Sequence, residues 1–214
     1  MRGVVALHAQ PVGVAPWPLL AAQALEEHHL CAWSPRDRQR ERFVADLASM
    51  LSRIDQTQVA VINGADAVNL DSFAAALGRA LGVPRIAPSI DGDSGIVDAL
   101  RAPHIGPDGR PVRRRYIIWS DAHEMLAADA RLFGRLVDAL MGVAAEGELV
   151  SEDVLLLQRV VFVGRPSLDV YAEDPRGQFR RWYSESGEPG LWRVVTGLKA
   201  PSVVTWRIGD EVGV

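Results

Sequence analysis

The sequence predicts an α/β fold built on a mostly parallel sheet, and three observations lead there. Short unbroken apolar runs at Val59–Ile62, Tyr116–Trp119 and Val160–Val163 read as strands buried on both faces. The segments between them carry apolar residues at helical spacing and are long enough for right-handed crossovers. Glycine and proline fall at the junctions between the two patterns, where a chain turns.

Taken in order, the stretch from Met1 to about Pro35 is rich in Ala, Pro and His, with a helix expected from Pro18 to His29. Ser34 followed by Pro35 suits a helix start, since serine accepts from free amides and proline fits the first helical position. Phe43, Leu47, Met50, Leu51 and Ile54 then give an apolar stripe, while Arg36, Arg38, Arg40 and Arg42 read as a solvated face. After the Val59 run and its turn at Asn63 and Gly64, a second helix carries Leu70, Phe73, Leu77 and Leu81 and stops at Gly82 and Pro84. The segment 86–95 reads as a loop, Ile96 to Leu100 as a short helix, and Pro107 to Pro111 as an exposed turn. The Tyr116 strand precedes one long helix expected from Ser120 or Asp121 to about Ala145. Beyond the Val160 strand, a helical stretch is expected near Leu168 to Tyr183, a loop near Gly187 to Gly190, and a last strand from Val203 to Ile208.

Composition bounds the function. The 214 residues are 48% hydrophobic and 23% charged, the balance of a folded globular chain. No apolar run approaches the roughly 20 residues of a membrane span, and the N-terminal run breaks at His8 and Pro11, so a cytoplasmic protein is expected. A net charge of −4 and a pI near 5.7 argue against nucleic acid as a partner. Cys31, the only cysteine, can form neither an internal disulfide nor a structural zinc site by itself. Lys199 is the only lysine, so lysine chemistry elsewhere is excluded.

Four groups of residues invite a chemical reading. Counting from Gly64, Asn69, Leu70 and Asp71 stand where a phosphate-binding loop would have its second glycine, its lysine and its hydroxyl, and none of them supplies the chemistry. Tyr116–Trp119 followed by Asp121 and Glu124 resembles a strand whose terminal acids hold magnesium, but the same spacing makes a capping box, which is the preferred reading, with His123 a surface residue. His28, His29 and Cys31 lack a fourth metal ligand, and adjacent histidines project apart. Trp182, Tyr183, Trp192 and Trp206 could stack on bases, yet their acidic context favours ordinary packing. No catalytic order stands out, and neither enzymatic activity nor a cofactor or metal is expected.

The block Ile62, Asn63, Gly64, Leu70, Phe73, Leu77, Leu81, Val83 and Pro84, followed by Tyr116 to Trp119, Asp121, Ala122, Asp129, Phe133, Leu136 and Leu140, resembles the barstar family of intracellular ribonuclease inhibitors. The resemblance covers roughly Thr57 to Gly164. It implies a three-layer barstar-like parallel sheet of three strands with helices, extended by N- and C-terminal additions. The implied division is a helical extension over 1–55, the α/β core over 56–164 and a second extension over 165–214.

The same resemblance implies a non-enzymatic inhibitor or immunity protein that binds a basic protein partner, a nuclease or toxin, through segment 86–100. Asp98 is the carried-over anchor, since a carboxylate can imitate a substrate phosphate among a nuclease's cations. Asp91, Asp93, Ile96 and Val97 complete the expected partner-binding surface. The family's aromatic residues and Gly-x-Asn pattern are absent from this loop. The alternative is a degenerate P-loop domain of the AAA+ kind, lacking the catalytic lysine and serving as a structural or assembly subunit. Gly64, Asp121, Glu124 and the sensor-like run Leu157–Gly164 favour it. More strands, with the Val59 strand in the middle of the sheet, would mark that lineage.

Overall fold

A computed structural model describes residues 17–91, 94–147, 156–173 and 202–208. Helix α1 (Trp17–Ala24) leads into strand β1 (His28–Trp33), followed by α2 (Asp37–Leu51), β2 (Thr57–Asn63), a 3-10 turn (Gly64–Asp66) and α3 (Leu70–Leu81). Then come α4 (Ile96–Arg101), β3 (Arg114–Ser120), α5 (Ala122–Ala128), α6 (Ala130–Gly147), β4 (Leu157–Gly164), α7 (Ser167–Glu173) and β5 (Ser202–Arg207). The five strands form one sheet in the order β2-β3-β4-β1-β5, and every pairing is parallel.

Alternation along each strand divides the interior in two. Ala60, Ile62, Ile117, Trp119, Val160, Phe162 and Cys31 point to one face, where α3, α4, α5 and α6 cover them. Trp119 is enclosed there by Phe73, Phe133 and Phe162, with ring centroids 4.7, 5.2 and 6.1 Å away. Leu30, Ala32, Tyr116, Ile118, Val161 and Val163 point to the other face, under α1 and α2. Right-handed crossovers require this split, because the chain moves outward once, from β1 to β2 through α2, and then steps back across the sheet.

Strand β1 lies between β4 and β5, which the three-stranded arrangement of the barstar family does not allow. The resemblance rested on β2-α3-β3-α6-β4, a unit any parallel sheet with right-handed crossovers repeats. Strands from segments 1–55 and 165–214 complete the same sheet: β1 pairs with β4 from Leu30 against Val161 onward, and β5 pairs with β1 from Ser202 against His28 onward. The Val59 strand is at the edge of the sheet, not its middle.

Several local expectations shift. The helix expected to reach His29 ends at Ala24, and His28 to Trp33 pair as a strand. Helix α2 starts at Asp37 with Arg36 as its cap residue, two positions later than the Ser34–Pro35 signal. The expected long helix is interrupted at Asp129, which is extended (φ −152°), while its carboxylate accepts from Leu132 N and starts α6. Asn69 and Ser72 form the reciprocal capping box of α3, and Gly82 closes that helix in the left-handed region. Among the described residues no helix is long and apolar enough to cross a membrane. The expected helix beyond Glu173, Trp182, Tyr183, Trp192 and the Gly187 loop lie outside the described residues, while Trp206 is half-buried against the α2 face.

Candidate functional site at the switch point of the sheet

In an open parallel sheet, ligands bind beyond the carboxyl ends of the strands, where neighbouring strands send their connections to opposite faces. Here that point lies between β1, which leaves through α2, and β4, which leaves through α7 on the other face. A phosphate loop, where one exists, comes directly after β1 at this position. The Gly64 turn comes after the edge strand β2 instead, so the correspondence of Gly64, Asn69, Leu70 and Asp71 with such a loop was one of spacing without the required place in the sheet.

Strand β1 is succeeded by Ser34, Pro35 and Arg36, and α2 then begins at Asp37. A phosphate loop needs about eight residues, with glycines whose backbone amides wrap the anion and a lysine that reaches it. Three residues without glycine or lysine cannot form it. Ser34 is buried, and its amide donates to Gly164 O at 3.0 Å, which extends the β1–β4 ladder by one bond before the chain turns into α2.

Arg40, one turn into α2, lies buried at this end of the sheet. Its guanidinium is 4% exposed and reaches three acceptors: Nη1 donates to Ser34 O at 2.8 Å, Nη2 to Asp37 Oδ1 at 2.6 Å and Nε to Asp121 Oδ1 at 3.1 Å. Arg165, just past β4, lies 3.4 Å from the same oxygen of Asp37. These cations hold the Asp37 carboxyl below its usual range, Arg40 being the main cause. The group is internally neutralised, and the Arg40 guanidinium is engaged by two carboxylates and a backbone carbonyl.

Asp121, at the end of β3, is the acid expected to cap the next helix. It does occupy the cap position, but its side chain makes no capping hydrogen bond and turns to Arg40 instead. Its backbone is left-handed (φ 47°), a conformation aspartate tolerates better than most residues. Gly64 explains how β2 and β3 end together: a Cβ there would stand 2.2 Å from Asp121 O and 2.6 Å from Ser120 O. The glycine is required for close backbone approach.

His123 is buried, not on the surface. Its Nδ1 lies 3.9 Å from Asp121 Oδ1 and its Nε2 3.2 Å from Glu124 Oε1, and burial is the main reason its pKa is lowered. A Cβ on Gly164 would come within 3.1 Å of His123 Nδ1 and 2.6 Å of Leu168 Cδ1, so β4 ends flush against these side chains.

The other sequence candidates are dispersed. Ile96 is fully buried and Val97 packs against the same core, so α4 turns these two side chains inward. Asp91 and Asp98 are exposed; Asp98 Oδ2 accepts from Ser94 N at 2.9 Å and closes the turn before α4. Asp93 lies outside the described residues. His29 is fully buried and its Nδ1 accepts from Val160 N at 3.0 Å, while Cys31 is buried with its thiol pKa raised. Among the described residues no three His, Cys, Asp or Glu side chains gather as metal ligands.

Sequence reasoning passes over Arg40 and Arg115. Arg40 sits in a helix turn crowded with arginines that read together as solvated, and only its place among the α2 apolar positions hints at burial. Arg115, at the opposite end of β3, is fully buried and, among the described residues, has no carboxylate paired with it. Its guanidinium donates to Gln58 Oε1 at 2.9 Å, Gln158 Oε1 at 3.3 Å and the carbonyls of Leu100 in α4 and Ala102 just past it. Burial lowers its pKa to about 10.

The sheet order and the position of its switch point define a P-loop, AAA+-like α/β fold. The chain is similar in structure to Cdc6p from Pyrobaculum aerophilum, with a TM-score of 0.50 and 15% identity over 91% of this chain and 47% of that one. It is also similar to the ORC2 protein of Aeropyrum pernix in its ADP form, with a TM-score of 0.47 and 14% identity over 89% and 47%. The chain thus spans less than half the length of these structures. No protein-family model matches it, and no curated protein sequence does. The five-stranded likeness overturns the barstar resemblance and, with it, the inhibitor or immunity function that resemblance implied.

Proposed function

We propose that this chain is a P-loop-fold domain that has given up nucleotide chemistry and serves as a structural or assembly subunit. One observation carries the reading: Arg40 lies buried beside the switch point and is neutralised there by Asp121 and Asp37. Phosphoryl transfer depends on positioned cations and magnesium around the phosphates. With three residues after β1 and Lys199 as the only lysine, the segment after β1 brings no lysine to the β/γ-phosphates. Asp121, the acid at the strand end, neutralises a buried guanidinium in this fold.

The test is a steady-state hydrolysis assay of the purified chain with ATP and with GTP in the presence of magnesium, beside an Asp121→Asn variant. The expected result is turnover at the buffer blank for both proteins. Turnover by the wild type that disappears in Asp121→Asn would overturn the reading, because a contaminating enzyme would not respond to the substitution.

A further inference from the structure

At the end of the sheet opposite the switch point, every donor of the Arg115 guanidinium meets an acceptor. Nε faces Gln58 Oε1, Nη1 faces Gln158 Oε1 and Leu100 O, and Nη2 faces Ala102 O at 3.2 Å and His104 Nδ1 at 2.7 Å. All but the last are amide oxygens, which take no proton near neutral pH. The last is an imidazole nitrogen, the one acceptor of the set that titrates there.

The distances fix the tautomer. His104 Nδ1 also lies 2.9 Å from Ala102 O, and it would donate there only if it carried a hydrogen. Arg115 stays protonated near neutrality even with its pKa lowered to about 10, so an Nδ1 hydrogen would set donor against donor at 2.7 Å. Nδ1 is therefore the bare acceptor, and the neutral ring carries its hydrogen on Nε2. This ring sits at the base of a small hairpin, in which Ile105 bridges Pro111, Val112 N donates to His104 O at 2.9 Å and Gly106 N to Arg110 O at 2.7 Å. From Pro103 to Pro111, His104 has the one side chain that is not exposed, so the imidazole is the hairpin's side-chain anchor. The other charged groups nearby are engaged elsewhere or face solvent. Arg110 pairs with Asp55 at 3.4 Å and Asp108 at 3.7 Å, Arg114 lies 3.8 Å from Glu26, Arg159 donates to the carbonyls of Gln158 and Glu26, and Arg101 and Arg113 are exposed. Among the described residues no carboxylate is paired with the His104 ring, so nothing there would hold its charged form.

We infer that His104 is a pH-sensitive latch on the hairpin 103–111: the neutral ring docks it on Arg115, and the protonated ring releases it. Protonation places a hydrogen on Nδ1, which removes an acceptor from Arg115 and sets two cations 2.7 Å apart. The imidazole is the partner that moves, because Arg115 is fixed in β3 and keeps its amide acceptors. A released histidine takes up a proton that the docked one refuses, so the hairpin is closed at neutral pH and opens as the solution is made acidic. This goes beyond the absence of nucleotide chemistry and stands whether or not that reading holds.

Nitrogen-15 NMR and amide hydrogen exchange of the full chain test it. At neutral pH the His104 ring should show Nε2 protonated and Nδ1 bare. From about pH 7.5 to about pH 5.5, protection at the Gly106 and Val112 amides, corrected for the intrinsic exchange rate, should fall about tenfold, the proton uptake of a freed histidine with an ordinary pKa of about 6.5. His104→Asn keeps a neutral acceptor near the place of Nδ1 that takes no proton, and it leaves His29 untouched. Its hairpin protection should be the same at both pH values. An Nδ1-protonated ring, wild-type protection that does not change with pH, or an equal fall in His104→Asn would overturn the inference.

Discussion

Arg40 Nε and Asp121 Oδ1 lie 3.1 Å apart at the switch point of the sheet, although 81 residues separate them in sequence. The contact ties the first turns of α2 to the end of β3 at the place where this type of sheet otherwise takes a ligand. Removing either partner leaves the other in a place made for a pair.

Asp121→Ala is therefore expected to destabilise the fold by on the order of 1–3 kcal/mol, the cost of leaving a buried donor short of its acceptor. The loss comes from Arg40, not from a missing helix cap. Urea unfolding of Asp121→Ala, Arg40→Met and the double variant checks this: the double variant should lose clearly less than the sum of the singles. Additive losses would mean the two residues act independently.

Gly64→Ala should cost about 3 kcal/mol, at the upper end of the usual range for overpacking. The new Cβ would meet the carbonyls of Asp121 and Ser120, which are backbone and cannot swing aside. Chemical denaturation measures the loss, and Ala65→Gly at the exposed neighbouring position is the control. A Gly64→Ala protein as stable as the wild type would show that β2 and β3 do not end in close contact.

The stability of the protein should fall as the solution is made acidic, and His29 sets the window. Burial, with Arg159 and His28 adding to it, pushes its pKa from 6.5 down to about 3. Between those values the unfolded chain takes up a proton that the folded chain refuses. Stability is thus fully present above pH 6.5 and is lost as the pH falls toward 3. From pH 7 to pH 5 this amounts to about 2 kcal/mol. His29→Gln keeps an acceptor for Val160 N and should flatten this part of the pH dependence, as read from unfolding curves at the two pH values.

The central strands and most helices were legible because their residues follow simple periods. Tyr116 to Trp119 and Val160 to Val163 are unbroken apolar runs, and Leu70, Phe73, Leu77 and Leu81 repeat at helical spacing. Strand β1 escaped because His28-His29-Leu30-Cys31-Ala32-Trp33 mixes polar and small residues and abuts an apolar helix, so periodicity merged the two. Its loss hid the sheet order, since β1 is the strand that makes five parallel strands a switch-point sheet. The site was hidden for a related reason. A glycine after a strand suggests a phosphate loop, and only pairing across the sheet tells which strand is which. Asp121 stands out in the sequence but its partner does not, because an arginine four residues into a charged helix turn looks like any other until the tertiary fold buries it.

Equilibrium binding of magnesium-ATP most directly tests the claim that this switch point takes no nucleotide. Isothermal titration calorimetry on the wild-type chain should give no saturable heat, and excess magnesium-ATP should leave the melting temperature unchanged. A bound nucleotide at about a hundred times its Kd would stabilise the fold by about 2.7 kcal/mol and raise the melting temperature by roughly 5–10 °C. A saturable one-to-one isotherm accompanied by such a shift would contradict that claim.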